Sequence, residues 1–297
     1  MTKLSHLLVL LSIQISFSVH ANVHFNLTST PLSKINYYPE NIEKYLNKTH
    51  SKNNSKQNLK QALRNIIVSG HIRKAGQKDI LTSSCKGLKN CYEQKAPDSY
   101  KQARKYLFGD IYLRQSRGQY FVKDVYCNQE IGENDGIGPM QIPNHRVMNC
   151  EHSWPQSKFN PNESRNTQKN DLHHLFPVNS RANSSRSNHP FGEVTGRAVN
   201  SNCTSSSIGE VNYENQLTTS FEPPLEIRGN IARALFYFST RYNLAIDEAQ
   251  EYYLRRWHRE DPVDDFEVQI NNRIYEIQNS RNPFIDDEEL VNAIKDF

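Results

Sequence analysis

Cys150-Glu151-His152-Ser153-Trp154-Pro155-Gln156-Ser157, then Asp171-Leu172-His173-His174-Leu175, then Asn183, hold most of this chain's candidate chemistry. An acid, a histidine and a later carboxamide in one short polar segment can assemble a single magnesium site beside a general base. That pairing suits hydrolysis of a phosphodiester, where a water must be deprotonated and a leaving oxygen neutralised. A carboxylate plus a carboxamide oxygen is a hard, low-charge ligand set, of the kind Mg²⁺ accepts while keeping several waters. Histidine, with an ordinary pKa near ~6.5, takes up a proton at neutral pH without much tuning.

Neighbouring residues on a strand face opposite sides, so Glu151 and His152 can share a site only at a strand end or tight turn. Pro155 provides the stop, because it biases Trp154 to an extended conformation and ends regular pairing. Asp171 to Leu175 is expected to supply a second strand. Asn179 to Asn183 offers several helix N-caps, so a helix is expected to start there. Strand, strand, helix would bring Asn183 back toward Glu151.

The first residues have the layout of an export signal: Lys3, an apolar run from Leu7 to Phe17, and Val19-His20-Ala21 as a small-residue cleavage site. Cleavage after Ala21 removes Lys3 and no acid, taking the formal charge from +4 to +3. So mild an excess does not by itself indicate a nucleic-acid partner. The distribution says more: Arg165, Lys169, Arg181, Arg186 and Arg197 cluster in sequence around the candidate site, whereas Asp261 to Asp296 is rich in acids. The five cysteines are an odd number for an oxidising compartment. Cys85 and Cys91 are close enough to clip a loop, and Cys127 with Cys150 could brace the strand leading into Glu151, although spacing alone does not establish either bridge. No Cys-x-x-Cys pair supports a cysteine zinc site.

Residues 1–21 thus read as a signal peptide, 22–58 as a polar, mobile leader with one short helix around Ile42 to Leu46, and 59–297 as one domain. Helical spacing marks Leu59 to Ile67, Tyr100 to Phe108, Gly229 to Tyr242, Asp247 to Arg259 and Ile270 to Ile277. Phe108 to Leu113 is expected to pass into an extended stretch, and Gln119 to Cys127 reads as a strand. Residues 128–150 read as a loop run, and 192–220 as a long connection. The fold class expected is α+β: a mainly helical single domain with a small antiparallel sheet.

The same motifs, with Phe176-Pro177, Asn183-Ser184-Ser185-Arg186-Ser187-Asn188, Phe221-Glu222-Pro223-Pro224, Arg228-Gly229-Asn230-Ile231-Ala232-Arg233-Ala234 and Arg281-Asn282-Pro283-Phe284-Ile285-Asp286, stand in one order across residues 100–290. In this the chain resembles the endonuclease I family of bacterial periplasmic and secreted non-specific nucleases, within the ββα-metal (His-Me finger) group. Six pieces in order make the match specific. The resemblance implies an embedded ββα-metal motif, His152 as general base, and Glu151 and Asn183 as ligands of one Mg²⁺, with Ca²⁺ or Mn²⁺ as substitutes. It implies cleavage of DNA and RNA to 5′-phosphate products, outside the cytoplasm, by a monomer without membrane contact. Some relatives have a Glu two residues before the Asp of the Asp-Leu-His motif. Lys169 stands there in this chain.

Bland readings stand beside these. His173 is expected to be buried and bonded to the backbone of the finger, and His174 carries no assignment. With His152 they could instead form a zinc site. Arg186 is placed either on a phosphate or on Asp171, and Arg233 either on a phosphate or in a structural ion pair. Trp154 and Phe159 are expected to pack rather than stack on bases. Nothing in the sequence resembles a base-reading element, so binding through the phosphate backbone, steeply weakened by salt, is the expectation. The alternative function is an exported nucleic-acid-binding or uptake protein without turnover.

Overall fold

The helical spacing upstream of residue 68 produces α1 (Lys56–Val68) in the computed structural model, which describes residues 32–42 and 56–297. Leu59, Leu63, Ile66 and Ile67 form its buried face. A three-stranded antiparallel sheet follows, ordered β2-β1-β3, from β1 (Gly70–Ile72), β2 (Ile80–Thr82) and β3 (Cys91–Tyr92). Helix α2 (Tyr100–Tyr106) is capped by the Ser99 hydroxyl, which accepts from the Gln102 amide. It continues through a π-helical turn over Leu107–Ile111, where an extended stretch was expected. A second antiparallel sheet takes β4 (Arg114–Ser116), β5 (Gln119–Lys123) and β6 (Glu130–Gly132) in that order.

The elements that carry the candidate site come next. β7 (Met148–His152) pairs antiparallel with β8 (Leu175–Asn179), Glu151 opposite Phe176 and His152 opposite Leu175. The second strand therefore begins where the expected one ended. Residues 172–174 form a 3-10 turn instead, because the Asp171 carboxylate accepts from the His173 amide and caps it. Between the strands lies α3 (Arg165–Asn170), and directly after β8 comes α4 (Ser180–Arg186). The Asn179 side chain caps α4 by accepting from the amides of Arg181 and Ala182, as the sequence predicts.

Residues 192–220 are not a connection. They belong largely to a three-stranded sheet, ordered β11-β10-β9: β9 (Thr195–Asn200), β10 (Cys203–Tyr213) and β11 (Gln216–Glu222). Its hairpin turns on Glu214 and Asn215, both at positive φ (48° and 65°), the requirement of a two-residue turn matched to strand twist. The small antiparallel sheet expected is thus four small antiparallel sheets among the described residues.

The last third is helical: α5 (Arg228–Tyr242), α6 (Glu248–Glu260), α7 (Asp265–Gln278), α8 (Pro283–Asp286) and α9 (Glu289–Ala293). Helix α5 is buried along nearly its whole circumference, which makes it the axis of the core. Gly229 permits this at its first turn, since a Cβ there would lie 1.9 Å from the Asp261 carbonyl oxygen. Trp154 and Phe159 stack on Phe238 of α5, at ring separations of 5.2 and 5.6 Å, so both are packing groups.

Residues 1–31 and 43–55 lie outside the described residues, and with them the signal and most of the leader. The described part of that leader is anchored, contrary to the expectation of mobility. Leu32, Tyr37, Tyr38 and Ile42 are buried, and the Tyr38 hydroxyl donates to Asp286 at 2.6 Å.

Candidate active site

His152 is the last residue of β7. The Ser153 amide still bonds the His174 carbonyl at 3.0 Å, and the chain then turns away through Trp154-Pro155. This strand end lets neighbours 151 and 152 reach one cleft of about 620 Å³, which Asn183, Arg186 and Gln156 also line. The sequence-predicted triad of Glu151, His152 and Asn183 is therefore brought together.

The imidazole is held in one orientation. Its Nε2 lies 2.9 Å from the Lys169 carbonyl oxygen, an acceptor only, so Nε2 carries the proton and donates. Nδ1 is left as the ring's acceptor, and the Gln156 amide nitrogen sits 3.3 Å from it. Tyr100 packs beside the ring with centroids 5.5 Å apart. Burial, then the neighbouring His174 ring and the cations Lys169 and Arg186, lower the His152 pKa to about 3. The ring therefore rests neutral, with a lone pair available.

Glu151 is buried, and its Oε1 is held from two sides. The Tyr126 hydroxyl donates to it at 2.9 Å, and Arg186 pairs with it at 3.1 Å. Burial pushes the carboxyl pKa up, and Arg186 and Tyr126 offset this only in part. A cation bound on the cleft side of the carboxylate would complete the neutralisation. The Asn183 carboxamide lines the same cleft and has no hydrogen-bond partner among the described residues. A carboxylate and a carboxamide lining one cleft fit a hard divalent cation that keeps most of its waters.

The zinc alternative finds no support in the geometry. His174 gives Nε2 to the Gln168 carbonyl at 2.8 Å and His173 gives Nε2 to the Ser280 carbonyl at 3.0 Å. His152 spends its own Nε2 the same way. No group of three His, Cys, Asp or Glu side chains is disposed for a metal among the described residues. His173 is buried as expected, but its carbonyl partner belongs to the segment after α7 and not to the finger.

The two arginines left open between a phosphate and a protein partner both take protein partners. Arg233 is 0% exposed and grips Glu267 with two nitrogens, at 2.8 and 2.5 Å, so its role is the structural ion pair. Arg186 is 1% exposed. Besides Glu151 it donates to the carbonyls of His152 at 3.2 Å and Ser153 at 2.7 Å, and it rests on the Phe191 ring. It stiffens the strand end, though through Glu151 rather than Asp171. Asp171 instead accepts from Gln94, Tyr237, Tyr242 and Gln278, and from the His173 amide.

The cysteines are also re-sorted. Cys85–Cys91 clips its loop as expected, but Cys127 bonds Cys203 across the chain, and Cys150 is the buried free thiol. Cys150 is next to Glu151 on β7, and burial pushes its thiol up to about 12. Tyr100, Tyr126 and Gln156 were missed as site residues. Gln156 stood inside the quoted motif, whereas nothing local to Tyr100 or Tyr126 marks them.

The family model for Endonuclease I matches residues 55–289, most of the chain. The chain belongs to the endonuclease I family. It is similar to an extracellular ribonuclease of Bacillus subtilis (strain 168), 32% identical over 190 residues, which cover 57% of this chain and 60% of that protein. It is also similar to two proteins of Aeromonas hydrophila. An extracellular deoxyribonuclease is 28% identical over 145 residues (47% of this chain, 58% of that protein). A periplasmic deoxyribonuclease is 31% identical over 121 residues (41% and 49%). The chain thus spans about half to three fifths of the length of these relatives. A location outside the cytoplasm agrees with their names and with the two disulfides. No helix among the described residues is long and apolar enough to cross a membrane.

Proposed function

We propose that this endonuclease I family member is an exported, Mg²⁺-dependent endonuclease that hydrolyses phosphodiester bonds of DNA and RNA, leaving 5′-phosphates. The observation that carries the reading is the fixed tautomer of His152, with Nδ1 the acceptor at a cleft that also presents Glu151 and Asn183. Strand, strand and helix in this order, with these three side chains, are what a ββα-metal motif requires.

In the reaction, His152 Nδ1 takes the proton of the attacking water. The Lys169 carbonyl keeps Nε2 protonated and, once Nδ1 is also protonated, stabilises the imidazolium. Gln156 donates toward Nδ1 in the resting site and is displaced from that hydrogen bond when water arrives. Glu151, aimed by Tyr126 and Arg186, and Asn183 would hold the divalent ion. That ion, when bound, supplies positive charge to the phosphate and the leaving oxygen. Lack of sequence preference follows from contacts confined to phosphate and sugar. The names of the relatives, ribonuclease and deoxyribonuclease, support both polymers as substrates.

The test is nicking of supercoiled plasmid and degradation of RNA by the exported chain, with Mg²⁺, with chelator, and with His152→Ala. Cutting that needs Mg²⁺ and is lost in the variant is the expected result. A folded protein that binds either polymer in Mg²⁺ without cutting it would overturn the enzyme and leave a binding protein.

A further inference from the structure

With Arg186 and Arg233 committed to protein partners, the cleft needs another cation to meet a polyanion. Arg104 is the one in place. It lies on α2, four residues after Tyr100 and on the same helix face, and both side chains line the cleft beside Glu151 and His152. The Arg104 guanidinium is half-buried and makes no hydrogen bond or ion pair among the described residues. It lies over the Tyr100 ring, 5.5 Å from the centroid. A guanidinium shielded on one side by an aromatic face and without a carboxylate partner has its donor fork free for phosphate oxygens. Lys169 adds a second positive charge at the same ring, its ammonium 4.5 Å from the centroid.

We propose that Arg104, steadied against Tyr100 on the cleft wall, is the residue that grips a backbone phosphate of the nucleic acid. The proposal rests on the nuclease reading of the cleft and names the contact that reading leaves unassigned. Arg186 and Arg233, the arginines of the quoted motifs, are both buried. Arg104 lay in an unremarkable amphipathic helix.

The test uses full-length exported chain carrying His152→Ala, so that binding is read without cutting. Its affinity for a DNA duplex is measured across a salt series, alone and with Arg104→Gln or Arg104→Lys added. Each lost phosphate contact lowers the slope of log affinity against log salt by about one. The expected result is a slope reduced by about one in Arg104→Gln and retained in Arg104→Lys, with unchanged thermal midpoints. An unchanged slope in Arg104→Gln would overturn the proposal, as would an equal loss in both variants accompanied by a lowered midpoint, which marks a packing role. The nuclease reading fails separately, if the chain with His152 intact cuts nothing.

Discussion

Arg186 reaches Glu151 from α4 at 3.1 Å, and the same guanidinium holds the carbonyls of His152 and Ser153. One buried cation thus orients a carboxylate and fixes the backbone on which His152 sits. Removing a single partner of such a pair leaves an uncompensated buried charge, typically at a cost of about 3–5 kcal/mol. Arg186→Met is expected to destabilise the protein by that order in urea denaturation and to weaken divalent-ion binding measured by calorimetry. Arg186→Lys should recover little of either, because an ammonium cannot span three acceptors in one plane. Full stability in Arg186→Met would show that Glu151 is neutralised in some other way.

His152→Ala and Glu151→Ala should fail differently. The first would remove the proposed general base, for a loss of about 10²–10⁴ in rate, with metal binding retained. The second should lose metal binding and hydrolysis together, and Asn183→Ala should weaken both in parallel. Calorimetric titration of Mg²⁺ beside plasmid nicking separates the cases. Equal metal affinity in Glu151→Ala and the parent chain would remove Glu151 from the ligand set.

Acid should destabilise the fold in two stages. Burial lowers His174 to about 4, far below an ordinary histidine. Between pH 6.5 and that value the unfolded chain binds a proton that the native chain refuses, so stability falls as pH falls through this window. The share carried by His174 is on the order of 3 kcal/mol, and buried His173 acts in the same direction. Asp171 governs the lower stage. Burial pushes its carboxyl up, but the adjacent histidines and the donors Gln278 and Tyr242 outweigh that, and the net shift is downward. Its contribution is complete above the ordinary Asp value and is lost as pH falls through the lower native one. Urea titrations from pH 7 to 3 should show the upper decline reduced in His174→Gln and the lower one in Asp171→Asn. A flat profile from pH 6.5 to 4 would show that the native histidines already hold their protons.

Tyr38 ties residues 32–42 to the C-terminal helices through Asp286, which Arg281 and Asn271 also hold. Tyr38→Phe removes a hydrogen bond to a charged acceptor and should cost about 1.5–3 kcal/mol. A chain beginning at residue 43 also exposes the surfaces that Leu32, Tyr37 and Ile42 cover, at roughly 1.5–3 kcal/mol for each apolar side chain. Its thermal midpoint should drop well below that of Tyr38→Phe. Equal midpoints for truncated and full-length protein would return this segment to the status of a leader.

Local signals in the sequence located much of the site. Pro155 marked the strand end that lets Glu151 and His152 share a cleft, and Asn179 marked the helix that returns Asn183. Pairings between distant residues were not legible. The Asp171 carboxylate looked available to Arg186, yet it is saturated by donors from the Gln94 region, α5 and α7. β8 runs through Pro177, because an edge strand tolerates a missing donor. The sheet from Thr195 to Glu222 escaped notice because its buried positions include Ser206 and Ser220, so no apolar alternation announces it. Tyr37 and Tyr38 sat in a polar stretch whose composition concealed two core aromatics.

The Cys127–Cys203 bridge joins Tyr126, whose hydroxyl holds Glu151, to the start of β10, and Ser205 and Ser206 of that strand donate to the Tyr126 carbonyl. During synthesis in a reducing cytoplasm that clasp is open, and the aiming of the carboxylate is left to weaker contacts. Closing the bridge after export completes the support of Tyr126, and with it the aiming of Glu151.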